Sequence, residues 1–364
     1  MVTEQSNPSA RLDGIQVWRA FAATCVVVVH LYLRYNYISH SKDRPFLLGS
    51  LPDLSFFEMG VDVFFVISGF IMIYISEAGR NTGRRLFLLK RGLRIYPPYW
   101  IYSGVMMLTL TILLPRDHRL DFELMGFVRT MGLYPTYNEV SNSIFPRFLD
   151  QGWTLMYELL FYAIFAVFIG RSTGVKVIGT SLVLVAFHLF AVWTDVLPRA
   201  VNWMLSDSIL LEFIIGMGLG WLYLKRSPKL GTLVCLILSA VALAWWVYFQ
   251  TQPYEGWGDR IISYAMPLAI LFGVTLFWKG GAAVKLPKIT KVLGDASYSI
   301  YLTHTIAIIV FAWLNRPGHI LENVNLDLQF SAGLAICLAI GLSSYMYVEK
   351  PLQILFHRIL KKII

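Results

Sequence analysis

Ten runs of about twenty mostly apolar residues divide this chain, and a segment of that length matches the roughly 30 Å hydrocarbon core of a bilayer when helical. The expected spans are 15–33, 56–76, 95–114, 153–170, 175–194, 203–224, 230–250, 260–278, 296–314 and 328–348. Inside lipid a helix satisfies its own backbone N–H and C=O groups, which an open strand cannot do. The fold class expected is therefore all-α: a polytopic integral membrane protein with about ten transmembrane helices in one bundle. Composition agrees, with 57% apolar residues, 15% charged residues and a mean hydropathy of +0.60. Soluble domains are nearer about 25% charged. Residues 1–10 read as a flexible N-terminal tail, 11–355 as a single transmembrane domain and 356–364 as a basic cytoplasmic tail. The first run contains Arg19 and no A-x-A-like site follows it, so it is expected to remain as a membrane helix rather than leave as a signal peptide. No internal repeat is evident.

A net charge of +9 raises nucleic acid as a partner, but the basic residues sit in short segments between apolar runs. There they set topology, and no nucleic-acid partner is expected. With the N-terminus inside, the inner segments carry twice as many Lys and Arg residues as the outer ones. Both termini are then cytoplasmic, and the two longest loops, 34–55 and 115–152, face outward. Cys25, Cys235 and Cys337 lie inside apolar spans without metal-type spacing. They read as small buried hydrophobes, with neither a disulfide nor a metal expected.

Arg19 and His30 share the first span. Eleven residues make three helical turns plus about 20°, so both point from one face, about 16 Å apart along the axis. Ionisable residues inside a span are costly and mark functional sites by default. Arg19 is expected toward the cytoplasmic end and His30 toward the outer end. Asp62 enters the second span near the outer face, and Glu158 lies one turn inside the fourth. A histidine with nearby carboxylates is the make-up of a general base and its orienter, and the sequence leaves open which carboxylate is closer. Ser297, Tyr301 and His304 follow i, i+4, i+7, one polar stripe that either lines a solvated path or seals against a neighbouring helix. Between spans two and three, Arg91 and Arg94 are i, i+3 and suited to gripping one phosphate group. Residues 85–94 read as a short amphipathic helix on the membrane surface.

Each feature also has a plainer explanation. Arg19 can snorkel to the interface, the basic loop can serve topology or lipid headgroups, and Asp62 and Glu158 can pair structurally with cations. A membrane transporter or a lipid-linked sugar flippase also keeps ionisable residues at mid-membrane. A membrane scaffold for polysaccharide assembly would not require His30.

Taken together, the motifs resemble the membrane-bound acyltransferase-3 family of bacterial polysaccharide and O-antigen O-acetyltransferases. The matching pieces are Arg19-x10-His30, Gly60-Val-Asp62 through Phe70, Arg91-Gly-Leu-Arg94-Ile-Tyr-Pro97, Trp153-Thr-Leu-Met-Tyr-Glu158, Ser297 through His304, and Val348-Glu-Lys-Pro351. The opening from Leu12 to Arg19 is similar to the exopolysaccharide (succinoglycan-type) branch. The resemblance implies transfer of acetyl from cytoplasmic acetyl-CoA to a sugar hydroxyl, with no metal. It implies His30 as the catalytic residue, with Glu158 and Asp62 as acidic partners. Arg19, Arg91 and Arg94, with Ser297, Tyr301 and His304, would contact the donor. It further implies the bacterial inner membrane, a glycan or lipid-linked saccharide acceptor, and the polysaccharide biosynthesis machinery as partner.

Overall fold

A computed structural model describes residues 8–50, 54–78, 83–113, 124–137, 139, 144, 148–226, 229–251, 260–283 and 287–363. Residues 1–7 of the expected tail, Arg80 of the basic loop and much of 115–152 lie outside them. Helices account for 85% of the structure, with no strand among the described residues. In chain order they are α1 (Pro8–Lys42), α2 (Met59–Ala78), α3 (Arg84–Leu113), α4 (Leu124–Met131), α5 (Gly152–Val167), α6 (Thr173–Trp193) and α7 (Arg199–Ser206). These are followed by α8 (Glu212–Arg226), α9 (Thr232–Gln250), α10 (Met266–Phe277), α11 (Lys288–Asp295), α12 (Ser297–Leu314), α13 (Leu326–Ser344) and α14 (Lys350–Ile363).

Seven helical segments among the described residues are long and apolar enough to cross a membrane. The other three expected spans differ for identifiable reasons. Gly152–Val167 and Ile261–Phe277 are apolar but shorter. The run 95–114 belongs to α3, where Tyr, Pro and Trp residues near Pro97 and Pro98 dilute the hydropathy. Residues 85–94 are not a separate surface helix but the first turns of α3, which continues through both prolines. Prolines are tolerated in membrane helices where neighbours supply the missing bonds. Cys25, Cys235 and Cys337 are buried, as expected, and each carries a free thiol.

Packing gathers the chain into two compact units. The first holds residues 1–22, 61–90 and 157–294. Here α2 crosses α8 at paired glycines. A Cβ on Gly69 would overlap the Phe213 carbonyl oxygen, and one on Gly216 that of Val66. Small residues at such crossings let backbones approach where hydrophobic burial gives no drive. Beside the crossing, Phe161 stacks on Phe213 at 4.1 Å and Phe65 meets the same ring edge-on at 4.9 Å.

The second unit holds residues 23–60, 91–156 and 295–364. Here α1 outruns its apolar stretch by nine residues, because the polar end finds partners. Lys42 donates to the Asn315 carbonyl, and Arg44 to the Asn315 side chain and the Val324 carbonyl. The backbone N–H groups of Leu47 and Leu48 donate to Asp327 at 3.1 and 3.0 Å. The expected loop from residue 34 is therefore helix as far as Lys42. On the middle of α3, Tyr96, Tyr99 and Trp100 donate to the carbonyls of Gly132, Thr130 and Met131. Those carbonyls close the end of α4, so this part of the expected outer loop folds back against the interior of a long helix.

The glycine crossing gives a direct test. Gly216→Ala should destabilise the protein by about 1–3 kcal/mol through overpacking, lowering the thermal midpoint in detergent. Gly218→Ala, which meets nothing within 4 Å, should not. Equal midpoints for the two variants would contradict the close crossing.

Candidate active site

His30 is the 23rd of the 35 residues of α1, about 18 Å short of the helix end at Lys42. It therefore lies in the middle of the helix rather than near its outer end, where the apolar run alone placed it. Its Nδ1 lies 2.8 Å from the Val26 carbonyl one turn earlier. A carbonyl only accepts, so Nδ1 carries the proton and Nε2 keeps a free lone pair. The His30 side chain is exposed.

The ring of His304 packs edge-on against that of His30, with centroids 5.0 Å apart. His304 is the eighth residue of α12 and fully buried. Its Nδ1 faces the Ile300 carbonyl at 3.2 Å, which leaves Nε2 as an acceptor for the Gln151 amide at 3.5 Å. The Thr305 hydroxyl donates to Gln151 Oε1 at 3.1 Å, and that fixes which end of the amide meets the imidazole. The Thr154 hydroxyl donates to the Gln151 carbonyl at 3.0 Å and accepts from the Tyr301 hydroxyl at 2.8 Å. This network holds the start of α5 against the middle of α12.

The stripe Ser297, Tyr301 and His304 is thus buried, at 0%, 7% and 0% exposure. Of the two arrangements open from sequence, tunnel lining and sealed face, this structure has the sealed one for Tyr301 and His304. Ser299, beside the stripe, donates to Glu349 at 2.6 Å, within the π turn Tyr345–Glu349.

The expected carboxylates belong to the first unit and are engaged there. Asp62 is fully buried and accepts both prongs of the Arg260 guanidinium at 2.9 Å. Asp207 and Glu212 share the electrostatic surroundings of Arg260. Glu158, half-buried, accepts from Tyr162 one turn later and from Ser68 at 3.5 Å. Asp150, in the turn just before Gln151, is exposed, and no periodicity or motif singled it out. Arg19 is half-buried and donates to Gln16 at 3.4 Å. Arg91 and Arg94 are both half-buried, one turn apart on α3.

A bilayer-crossing helical bundle with one accessible imidazole against a sealed polar wall matches a known class. The acyltransferase domain of the acyltransferase-3 family matches residues 12–348, and the chain belongs to that family. It is a multi-pass membrane acyltransferase. Among proteins it resembles, the exopolysaccharide production protein ExoZ of Rhizobium meliloti (strain 1021) is 35% identical over 298 residues, covering 80% of this chain and 88% of ExoZ. Nodulation protein 10 of Rhizobium leguminosarum bv. viciae is 27% identical over 344 residues, covering 88% of this chain and 89% of that protein. The first of these agrees with the branch expected from the opening residues. No solved structure gives a significant match.

The buried ion pair carries its own prediction. Arg260→Ala leaves Asp62 charged and unpaired, at a cost of about 3–5 kcal/mol, and Arg260→Lys should fall between it and the native protein. Thermal unfolding in detergent measures both, and an unchanged midpoint for Arg260→Ala would refute the pairing.

Proposed function

We propose that this protein moves an acetyl group from cytoplasmic acetyl-CoA to a hydroxyl of an exopolysaccharide or O-antigen-type glycan, in the inner membrane of a bacterium. The observation that carries this reading is the exposed His30 imidazole, with Nδ1–H held by a carbonyl and Nε2 free. The acceptor hydroxyl donates to Nε2. As its oxygen attacks the thioester carbonyl, the proton passes to His30 and a C–O bond forms. The C–S bond then breaks, and the leaving thiolate takes the proton back from the imidazolium. In the covalent variant, Nε2 attacks the thioester first and the C–S bond breaks with loss of the CoA thiolate; the glycan hydroxyl then attacks the acyl-imidazole, the N–C bond breaks, and the hydroxyl proton goes to the thiolate.

Arg91 and Arg94 hold the phosphates of the donor, since neighbouring guanidiniums present paired donors to phosphate oxygens. Tyr301 and His304 support the site as a wall rather than as donor contacts, and Asp62 and Glu158 act through the helices they tie together. The names of ExoZ and Nodulation protein 10 support a saccharide acceptor, free or lipid-linked, supplied by polysaccharide biosynthesis machinery. Ten spans with both termini in the cytoplasm accord with the distribution of Lys and Arg. They place the donor cations on the side where acetyl-CoA is made.

His30→Ala should abolish O-acetyl groups on the surface polymer while leaving the amount of protein in the membrane unchanged, read by NMR of the polymer and by immunoblot. Full acetylation in that variant would end the assignment. Replacing Arg91 and Arg94 together by Ala should weaken acetyl-CoA binding to the purified protein by about tenfold or more, since hydrogen bonds to charged groups contribute about 1.5–3 kcal/mol each. Calorimetry showing native affinity would remove them from the donor site.

A further inference from the structure

We propose that Arg34 binds an acidic group of the acceptor, a carboxylate or a phosphate, and so holds the reacting sugar hydroxyl at His30. The proposal rests on His30 as the proton acceptor of transfer. It adds the class of acceptor, an anionic saccharide, and a residue outside every motif that marked the site.

Arg34 follows His30 by four residues on α1. That is about 6 Å along the axis and about 40° around it, so both side chains project from one face. Tyr37 and Ser41 continue the same strip, each about 20° from the line of His30. His30, Tyr37 and Ser41 are exposed, and Arg34 is half-buried. With 35 residues, α1 is about 52 Å long, against a hydrocarbon core of about 30 Å. The helix therefore passes beyond the core, and the strip runs from His30 toward its end at Lys42. Charged and polar side chains gathered on one exposed face do not front lipid tails, so this face borders water.

The neighbouring cations at this end are engaged. Lys42 and Arg44 donate to Asn315 and to the Val324 carbonyl, and Arg316 donates to the Leu113 carbonyl at 3.3 Å. Arg34 makes no hydrogen bond and no ion pair among the described residues, and its Nε is buried without an acceptor. Its guanidinium lies over the Tyr37 ring, with Cζ 5.7 Å from the centroid. That contact uses the π face of the ring, so it positions the guanidinium while leaving the N–H groups open. An unmatched guanidinium gains most from a partner that brings charge and acceptor oxygens together, and the paired oxygens of a carboxylate or phosphate do so. A lipid headgroup offers the same oxygens. The position one turn from the reacting imidazole favours the acceptor.

Three probes test this on the full chain in detergent: the lipid-linked oligosaccharide extracted from a strain lacking this protein, the free oligosaccharide released from it by mild acid, and that oligosaccharide after chemical reduction of its carboxyl groups. Arg34→Gln should weaken binding of an acidic probe about tenfold or more by calorimetry. It should raise the KM for that probe in acetyl transfer by the same factor, with the KM for acetyl-CoA unchanged. Arg34→Lys, which keeps the charge but not the fork, should fall between. The difference from the native protein should vanish on the probe that lacks the recognised anion. Vanishing after mild acid identifies a phosphate, and vanishing only after reduction identifies a carboxylate. Equal weakening on the probe stripped of both groups would overturn the proposal. So would native affinity for all three probes, the result expected if Arg34 serves a lipid headgroup. Absence of acetyl transfer by the native protein, beside binding that depends on Arg34, would instead overturn the acetyl reading and leave this subsite standing.

Discussion

Polar groups at the depth of His30 have no bulk water to turn to, and the arrangement of the second unit follows from that constraint. The start of α5 meets the middle of α12, where unmatched carbonyls and amides would each cost about 1–3 kcal/mol. The Gln151 carbonyl is matched by the Thr154 hydroxyl, its amide oxygen by Thr305, and its amide nitrogen by His304. The carbonyls that end α4 are matched by Tyr96, Tyr99 and Trp100. These bonds permit irregular chain there, and irregular chain brings Gln151 to the His304 imidazole.

The same constraint sorts the two histidines. His304 has both nitrogens engaged and no exposed surface, so it serves as a rigid surface. His30 has one nitrogen engaged and the other open, so it is available for proton transfer. In the first unit the fork between Arg260 and Asp62 meets the requirement by charge. Arg260 directly precedes the π turn Ile261–Ala265, and Glu349 closes the other π turn. An extra residue in a helical turn re-aims the side chains beside it, and in both places a buried charged group lies next to the irregularity.

Much of this was legible in the sequence where periodicity speaks. The apolar runs gave an all-helical membrane protein, and the Arg19–His30 spacing put both residues on one helix. The family motifs led to the right class. The signal failed where contacts are long-range or the chain is irregular. Nothing near Asp62 announces a guanidinium 198 residues away. Asp150 and Gln151 sit in a polar stretch without period, so their height in the bundle depends on bonds to α12 that no local pattern encodes. The end of α1 was misjudged because hydropathy stops at Leu33, while Lys42 and Arg44 hold the helix onward through partners near residues 315–327.

The bond from His30 to Val26 runs to a main-chain oxygen, which every residue type supplies. Drift at surrounding positions can therefore alter how fast the site works, or which sugar it admits, without changing which nitrogen reacts. A lineage of such enzymes is free to diversify toward new glycans around a proton acceptor whose orientation is written into the helix itself.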